Sequence, residues 1–216
     1  MIIDLTFTIQ NNMLTCGTDW HQKVEIKSLG TIGTVGRNTS SYLLGSHTGT
    51  HMDAPRHFFD EGRGIDEILV QELCGEITIV DFCRFGKGKV IQPNDIDSVV
   101  VTPKMLFVFG WCKYWNTEQY YKDYPFFSVE VIRYLIKKGM KFMAMDTPSP
   151  DCIKDIYFKN ESMNHKLLLK NGVILLEYVA NTDMIDFDKQ YEIISLPLKI
   201  LGGDGAPCRV ILRQIL

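Results

Sequence analysis

An α/β fold with a mixed sheet at its core and helices packed outside is what this sequence predicts. Short β-type runs recur from end to end, several are apolar without a break, and helical patterns are interleaved with them. Interleaving favours a sheet covered by helices, and unbroken apolar runs favour strands buried on both faces. In chain order the runs fall at 2–9, 24–29, 77–82, 105–109, 141–145, 173–176, 192–200 and 209–212. One helix is clear. Ser128 caps it, Val129, Ile132, Leu135 and Ile136 form its apolar stripe, and Lys137-Lys138-Gly139 supplies a cationic last turn and a stop. Weaker helical patterns lie at 94–100, 117–123 and 163–170.

With 216 residues, 45% of them hydrophobic, the chain can bury a large core and sits near the upper end of one domain. No period of 20 to 50 residues recurs, and no Ser/Gly/Pro-rich or single-charge tract marks a linker. Residues 1–216 therefore read as one domain. A net charge of -3, a pI near 6.0 and scattered Lys and Arg provide no field to gather polyanions, so neither nucleic acid nor an anionic membrane is an expected partner. No apolar run approaches the roughly 20 residues that span a bilayer. Met1-Ile2-Ile3-Asp4-Leu5 does not open a secretory signal, and the six cysteines are spread without a CxxC pair; both fit a reducing cytoplasm.

Chemistry concentrates in one segment, Ser46-His47-Thr48-Gly49-Thr50-His51-Met52-Asp53-Ala54-Pro55-Arg56-His57-Phe58. Of five histidines in the chain, three fall between His47 and His57, together with Asp53. Imidazoles and a carboxylate without thiolate are the ligand set of a catalytic zinc, manganese or ferrous site. In a straight strand His47 and His51 would stand about 13 Å apart and His47 and His57 about 33 Å, too far for one ion. The segment must bend. Gly49 can take the unusual dihedral, while Pro55 fixes its own φ and keeps Ala54 extended. The two-residue spacing of His51 and Asp53 puts both on one side of an extended chain. Downstream, Asn171-Gly172 signals a turn into the run at 173–176, which ends on Glu177; a carboxylate buried there needs a cation or several donors, whereas one reaching solvent, as Asp81 does after its own run, needs neither.

The segment also resembles, residue for residue, the HxGTHxDxPxHF signature of the cyclase family of metal-dependent hydrolases, which includes bacterial kynurenine formamidases and isatin hydrolases. Further pieces follow in the family's order: Asp4-Leu5-Thr6, Gly110-Trp111, Asp146-Thr147-Pro148-Ser149, Leu196-Pro197-Leu198, and Gly205-Ala206-Pro207 with Arg209. The resemblance implies the swivelling β/β/α cyclase-like fold. It implies His47, His51 and Asp53 as metal ligands, His57 as the catalytic histidine, and His165 and Glu177 as the partners that complete a two-ion Zn²⁺ or Mn²⁺ site. It implies a homodimer or homotetramer. It also implies a tryptophan near Trp20 in substrate binding. Read by residue type, Trp20, Phe58, Phe59 and Trp111 are the aromatic candidates for a pocket wall, Trp20 and Phe58 before the others.

The chemistry expected on this basis is cleavage of a C–N bond in a small amide by metal-activated water, an aryl formamide first and a lactam second. In the two-ion arrangement Asp53 and Glu177 bridge, His47 and His51 serve one ion and His165 the other. His57 shuttles a proton to the leaving nitrogen, or else is a further ligand. A metal-dependent cyclase or lyase and a noncatalytic metal-binding assembly module are the competing readings. Side-chain nucleophiles are not expected: there is no Gly-x-Ser-x-Gly elbow, and no cysteine is read as paired with a histidine. After Asp4-Leu5-Thr6 the chain has Phe7 where many members carry a polar residue, and Leu14-Thr15-Cys16-Gly17 stands where many carry Tyr-Pro-Gly, so the substrate end departs from the family pattern.

Overall fold

Seven strands close into a ring in the computed structural model, which describes residues 1–18, 21–159 and 161–215. The elements run as β1 (Ile2–Asp4), β2 (Glu25–Gly30), α1 (Ile32–Val35), β3 (Thr39–Leu43), β4 (His51–Asp53), α2 (Val70–Leu73), β5 (Cys74–Asp81), β6 (Val90–Ile91), β7 (Lys104–Val108), β8 (Phe126–Phe127), α3 (Val129–Lys137), β9 (Phe142–Met145), α4 (Ile153–Lys159), α5 (Met163–Lys170), β10 (Ile174–Glu177), β11 (Tyr191–Pro197) and β12 (Gly205–Gln214). The sheet order is β1-β12-β11-β5-β7-β9-β10-β4, and β4 pairs again with β12 to close the ring. β5, β7, β9 and β10 run parallel to one another, while the pairs made by β4, β11 and β12 are antiparallel. The fold is thus a mixed α/β one.

Period-two alternation sorts the side chains into two cores. Met52, Leu106, Val108, Phe142, Ala144, Ile174, Leu176, Ile193, Ala206 and Val210 fill the inside of the ring. Met105, Phe107, Met143, Met145 and Leu175 face outward against Val131, Ile132 and Leu135 of α3 and Leu168 and Leu169 of α5. Strands β7, β9 and β10 are covered on both faces, which is why they read as unbroken apolar runs. Ser128 caps α3 by accepting from Val131 N. α5 takes the span that the weaker pattern at 163–170 indicates, whereas the patterns at 94–100 and 117–123 yield only 3-10 turns at Pro93–Ile96 and Glu118–Tyr121. β2 and β3 form a hairpin outside the ring. Among the described residues no helix is long and apolar enough to cross a membrane.

Candidate metal centre and its pocket

The register of β4 against β10 assembles the first part of the site. Leu176 pairs with Met52, and both point into the ring; Glu177 pairs with His51 and Leu175 with Asp53, so His51, Asp53 and Glu177 share the outer face. His51 Nε2 lies 3.4 Å from Asp53 Oδ1 and 3.4 Å from Glu177 Oε2. The two-residue spacing of His51 and Asp53 thus acts as the sequence suggests. Glu177 is buried, 4% exposed, and the chain turns immediately after it through Tyr178, whose φ of +59° is strained for a tyrosine. Thr50 Oγ1 donates to Tyr178 O at 2.6 Å and accepts from Phe7 N at 2.9 Å, so the signature threonine holds that turn in place.

His47 arrives from the other side of the bend. Gly49 has φ +59°, the left-handed conformation the ligand segment requires. The His47 ring packs so closely on the opposing β12 that a Cβ at Gly205 would sit 2.9 Å from its Cε1 and 2.7 Å from Met52 O. Its Nδ1 is 2.8 Å from Asp53 Oδ1 and its Nε2 2.8 Å from Asp204 Oδ2. Pro55 starts the 3-10 turn Pro55–His57, which places His57 Nδ1 3.6 Å from the same Asp204 oxygen, with its ring 4.0 Å from that of His47. His165 comes from α5: its Nε2 is 3.1 Å from Glu177 Oε1 and 3.6 Å from Asp53 Oδ2. Asp151 orients it, accepting at Oδ2 from His165 Nδ1 at 2.6 Å and from His165 N at 3.0 Å, and at Oδ1 from Asn164 N at 2.7 Å.

Two sets of donor atoms, each within 4.8 Å, result: His47, Asp53 and His57, and His51, Asp53 and Glu177, with Asp53 common to both. The residues present fit a cation. Asp53 Oδ2 and Glu177 Oε1 are buried carboxylate oxygens without a hydrogen bond, and both face His165 Nε2; a buried anionic oxygen is retained only against a positive partner. The electrostatics agree. Burial pulls His47 down, but Asp53 and Asp204 outweigh it and raise its pKa to about 10. Burial opposes the charge on His165 as well, and Glu177 and Asp151 overcome it, raising its pKa well above 6.5. Burial would raise Asp53, yet His47 and His57 hold it well below the ordinary carboxylate value.

The cluster forms the floor of a pocket of about 250 Å³. Phe58 lines it, its ring 4.5 Å from that of His57 and 5.5 Å from that of His165. Trp20, expected beside it, lies outside the described residues. Trp111 is no pocket residue: it is buried in the outer core and its indole N–H donates to Tyr120 O at 2.9 Å. Tyr121, Tyr124 and Tyr178, which no motif singles out, supply pocket walls instead. Cys16 also corrects the expectation for the cysteines: its Sγ is 2.8 Å from His21 Nδ1, and both line the pocket. Burial, and then the nearby imidazoles of His47, His51 and His57, lower His21 to about 4. Sequence reading missed Asp204 and Asp151. Asp204 directly precedes Gly205-Ala206-Pro207, which is the only local signal for it.

The Cyclase family model matches residues 3–152, well over half of the chain. The chain belongs to the cyclase family. Kynurenine formamidase of Bacillus cereus is 28% identical over 214 residues, spanning 99% of this chain and 97% of that protein. Among solved structures, isatin hydrolase A from Labrenzia aggregata, bound to benzyl benzoate, superimposes with a TM-score of 0.82 at 22% identity over 98% of this chain and 93% of the other. An isatin hydrolase bound to the product analogue thioisatinate gives 0.85 at 21% identity, over 99% and 92%. These likenesses establish a shared fold.

Two further pieces of the cyclase-family pattern serve the scaffold here. Asp4 accepts from Arg209 Nε at 3.0 Å and Nη2 at 2.6 Å, and Thr6 Oγ1 accepts from Val210 N at 2.8 Å, tying the first strand to the last. Asp146 is fully buried; it accepts from Phe109 N and Trp111 N at 2.9 Å each and from Thr182 Oγ1 at 3.1 Å, clamping the Gly110-Trp111 loop to the end of β9. Burial outweighs these donors and raises Asp146 to about 6.

Proposed function

We propose that this chain is a metal-dependent hydrolase that cleaves the C–N bond of a small aryl amide, an aryl formamide before all others. The observation that carries the reading is the pair of buried carboxylate oxygens, Asp53 Oδ2 and Glu177 Oε1, left without hydrogen bonds beside His165 Nε2 on the floor of a largely apolar pocket. The full-length likeness to a protein named kynurenine formamidase supports the same chemistry. His47, His51, Asp53, His165 and Glu177 would hold Zn²⁺ or Mn²⁺, with Asp53, common to both donor sets, supporting two ions. A neutral lactam is the second reading, favoured by a small pocket with no Lys or Arg among its described lining residues.

A divalent ion in such a site polarises a carbonyl oxygen and lowers the pKa of water toward neutrality. The remaining work falls to the chain. Asp204, on the Nδ1 side of His57, favours the tautomer protonated there and leaves Nε2 as the base. Nε2 takes a proton from the attacking water and delivers it to the amide nitrogen as the C–N bond breaks, releasing a carboxylic acid and an amine. Phe58 and the tyrosines exclude bulk water and take the aromatic body of the substrate. Self-association as a dimer or tetramer belongs to the same reading; the β2–β3 hairpin supports it, with Leu29, Ile32 and Tyr42 each at least 67% exposed.

Metal analysis, followed by a chelated and a metal-restored assay on aryl formamides, lactams and simple amides, tests the proposal. Activity should disappear with chelator and return with Zn²⁺ or Mn²⁺, and His57→Ala should lower kcat by about 10²- to 10⁴-fold while bound metal per chain is unchanged. Turnover that persists in chelator, or silence of the restored enzyme on the entire panel, refutes it.

A further inference from the structure

We infer that Asp151 is a positioning residue for the metal centre: acting through His165 alone, it sets the affinity of one of the two proposed ions and leaves the other unaffected. The inference rests on the metal-dependent reading for the ions and on separate contacts for its geometry. Asp151 is buried, 5% exposed, and is not among the residues that line the pocket, so it reaches the chemistry only through a neighbour. Its carboxylate holds that neighbour at two points. Oδ2 accepts from His165 Nδ1 at 2.6 Å and from the backbone N–H of the same residue at 3.0 Å, while Oδ1 accepts from Asn164 N at 2.7 Å.

The ring bond fixes the imidazole and the backbone bonds fix the turn that carries it. Ser162, at the N-cap of α5, makes no side-chain cap bond, so Asp151 satisfies the free N–H groups of that first turn from outside the helix. Asp151 is anchored in turn. Its N–H donates to Ser149 Oγ at 3.0 Å, and Asn164 Nδ2 donates to Pro150 O at 2.9 Å and to Phe127 O at 2.7 Å. An ionised carboxylate only accepts, so the ring keeps its proton on Nδ1 and Nε2 is the nitrogen presented to Glu177 Oε1 and Asp53 Oδ2, 3.1 and 3.6 Å away. A carboxylate on the far nitrogen of a metal-binding histidine fixes its tautomer and raises its basicity. The other candidate ligands are oriented without Asp151. His51 Nδ1 donates to Gly49 O at 2.8 Å, inside its own segment, and His47 is held by Asp53 and Asp204. Loss of the Asp151 carboxylate therefore loosens the ion that His165 serves and spares the ion that His47 and His51 serve.

The test strips the full chain with chelator and titrates it with Zn²⁺ against a chromophoric competitor, for wild type, Asp151→Asn, His165→Gln and the double variant. Wild type should take up two ions. Asp151→Asn should bind one of them about 10- to 100-fold more weakly and the other within about twofold of wild type, and in the His165→Gln background it should change either affinity by less than about twofold. Long-range imidazole ¹H–¹⁵N spectra of Zn²⁺-loaded wild type, which need no variant to fold, should show His165 protonated at Nδ1 and metal-bound at Nε2. A wild type that binds fewer than two ions, equal losses at both ions, no loss at either, an undiminished effect in the His165→Gln background, or metal on Nδ1 overturns the assignment. Neither readout requires turnover. If the Zn²⁺ results are as expected and no amide is cleaved, the hydrolase reading fails and the Asp151 assignment stands; if amides are cleaved with metal and Asp151→Asn binds both ions like wild type, the assignment fails and the hydrolase reading stands.

Discussion

Metal loading should stabilise this fold through Glu177, and the size of the effect follows from the site. In the metal-free chain Asp53 Oδ2 and Glu177 Oε1 are buried without hydrogen bonds. Each such oxygen costs about 1–3 kcal/mol, so a cation that satisfies both relieves about 2–6 kcal/mol. Mass action gives a figure inside that range: a free metal concentration 100 times Kd adds about 2.7 kcal/mol. At roughly 2–4 °C per kcal/mol for a chain of this size, the melting temperature should rise by about 5–11 °C between chelator and Zn²⁺ or Mn²⁺. Glu177→Gln keeps the volume, deletes the charge and removes one anionic donor. Its chelated form should melt within about 4 °C of chelated wild type, and its metal-induced rise should shrink to less than about a third. Scanning calorimetry of both proteins, with and without metal, measures all four values. Equal melting temperatures for chelated and loaded wild type, or a full metal-induced rise in Glu177→Gln, would show that these carboxylates do not serve a cation.

Asp204→Asn tests the residue that reading by motif passed over. Because its side chain is 44% exposed, the loss in stability should stay below about 1 kcal/mol, whereas kcat should fall about tenfold with bound metal unchanged, because His57 loses its orienting partner; an unchanged kcat retires Asp204 from that role. Asp146 sets a pH dependence. Its folded pKa is raised from 3.8 to about 6, so its contribution to stability is fully present below about 3.8 and is lost as pH rises through about 6, a change of about 3 kcal/mol at 1.36 kcal/mol per pH unit. Asp146→Asn cannot titrate, so denaturant unfolding of both proteins between pH 4 and 6.5 should show the wild-type advantage shrinking by about 2 kcal/mol, the part of that change which falls in this window; a flat difference contradicts the burial argument.

What the sequence made legible was local. The left-handed Gly49, the turn begun by Pro55, the shared face of His51 and Asp53, the Ser128 cap and the strand ending on Glu177 each depend on a few neighbouring residues. What it hid was remote or unpatterned. Asp204 meets His47 across 157 positions of chain, and no periodicity links them. β4 is three residues long and carries two ligand-type side chains, so it looks like loop rather than strand. β3, with its Thr-Ser-Ser start and mostly exposed positions, has no apolar run to announce it. The run at 2–9 yields a strand only as far as Asp4, because the backbone then leaves β12 and makes a lone bridge from Thr6 to Val179. Residue type alone makes Trp111 a pocket candidate, but a buried indole needs one acceptor and finds it in the core at Tyr120 O.

The same three residues of β4 close the ring and present the candidate ligands, which couples sheet closure to the metal centre. Met52 fills the inside while His51 and Asp53 face out, and pairing with both β10 and β12 fixes which face is which. A slip of one residue in that register would bury the imidazole and carboxylate in the apolar interior and expel Met52. Only Gly205 allows β12 to approach closely enough, since any side chain there would strike both Met52 O and the His47 ring. His57 and His165 stand apart from this coupling. One sits on the 3-10 turn after β4 and the other on α5, held by Asp151. Substitutions at Asp53 would therefore mix an effect on the proposed metal site with loss of closure, whereas those at His57 and His165 would test their proposed roles with the ring left intact.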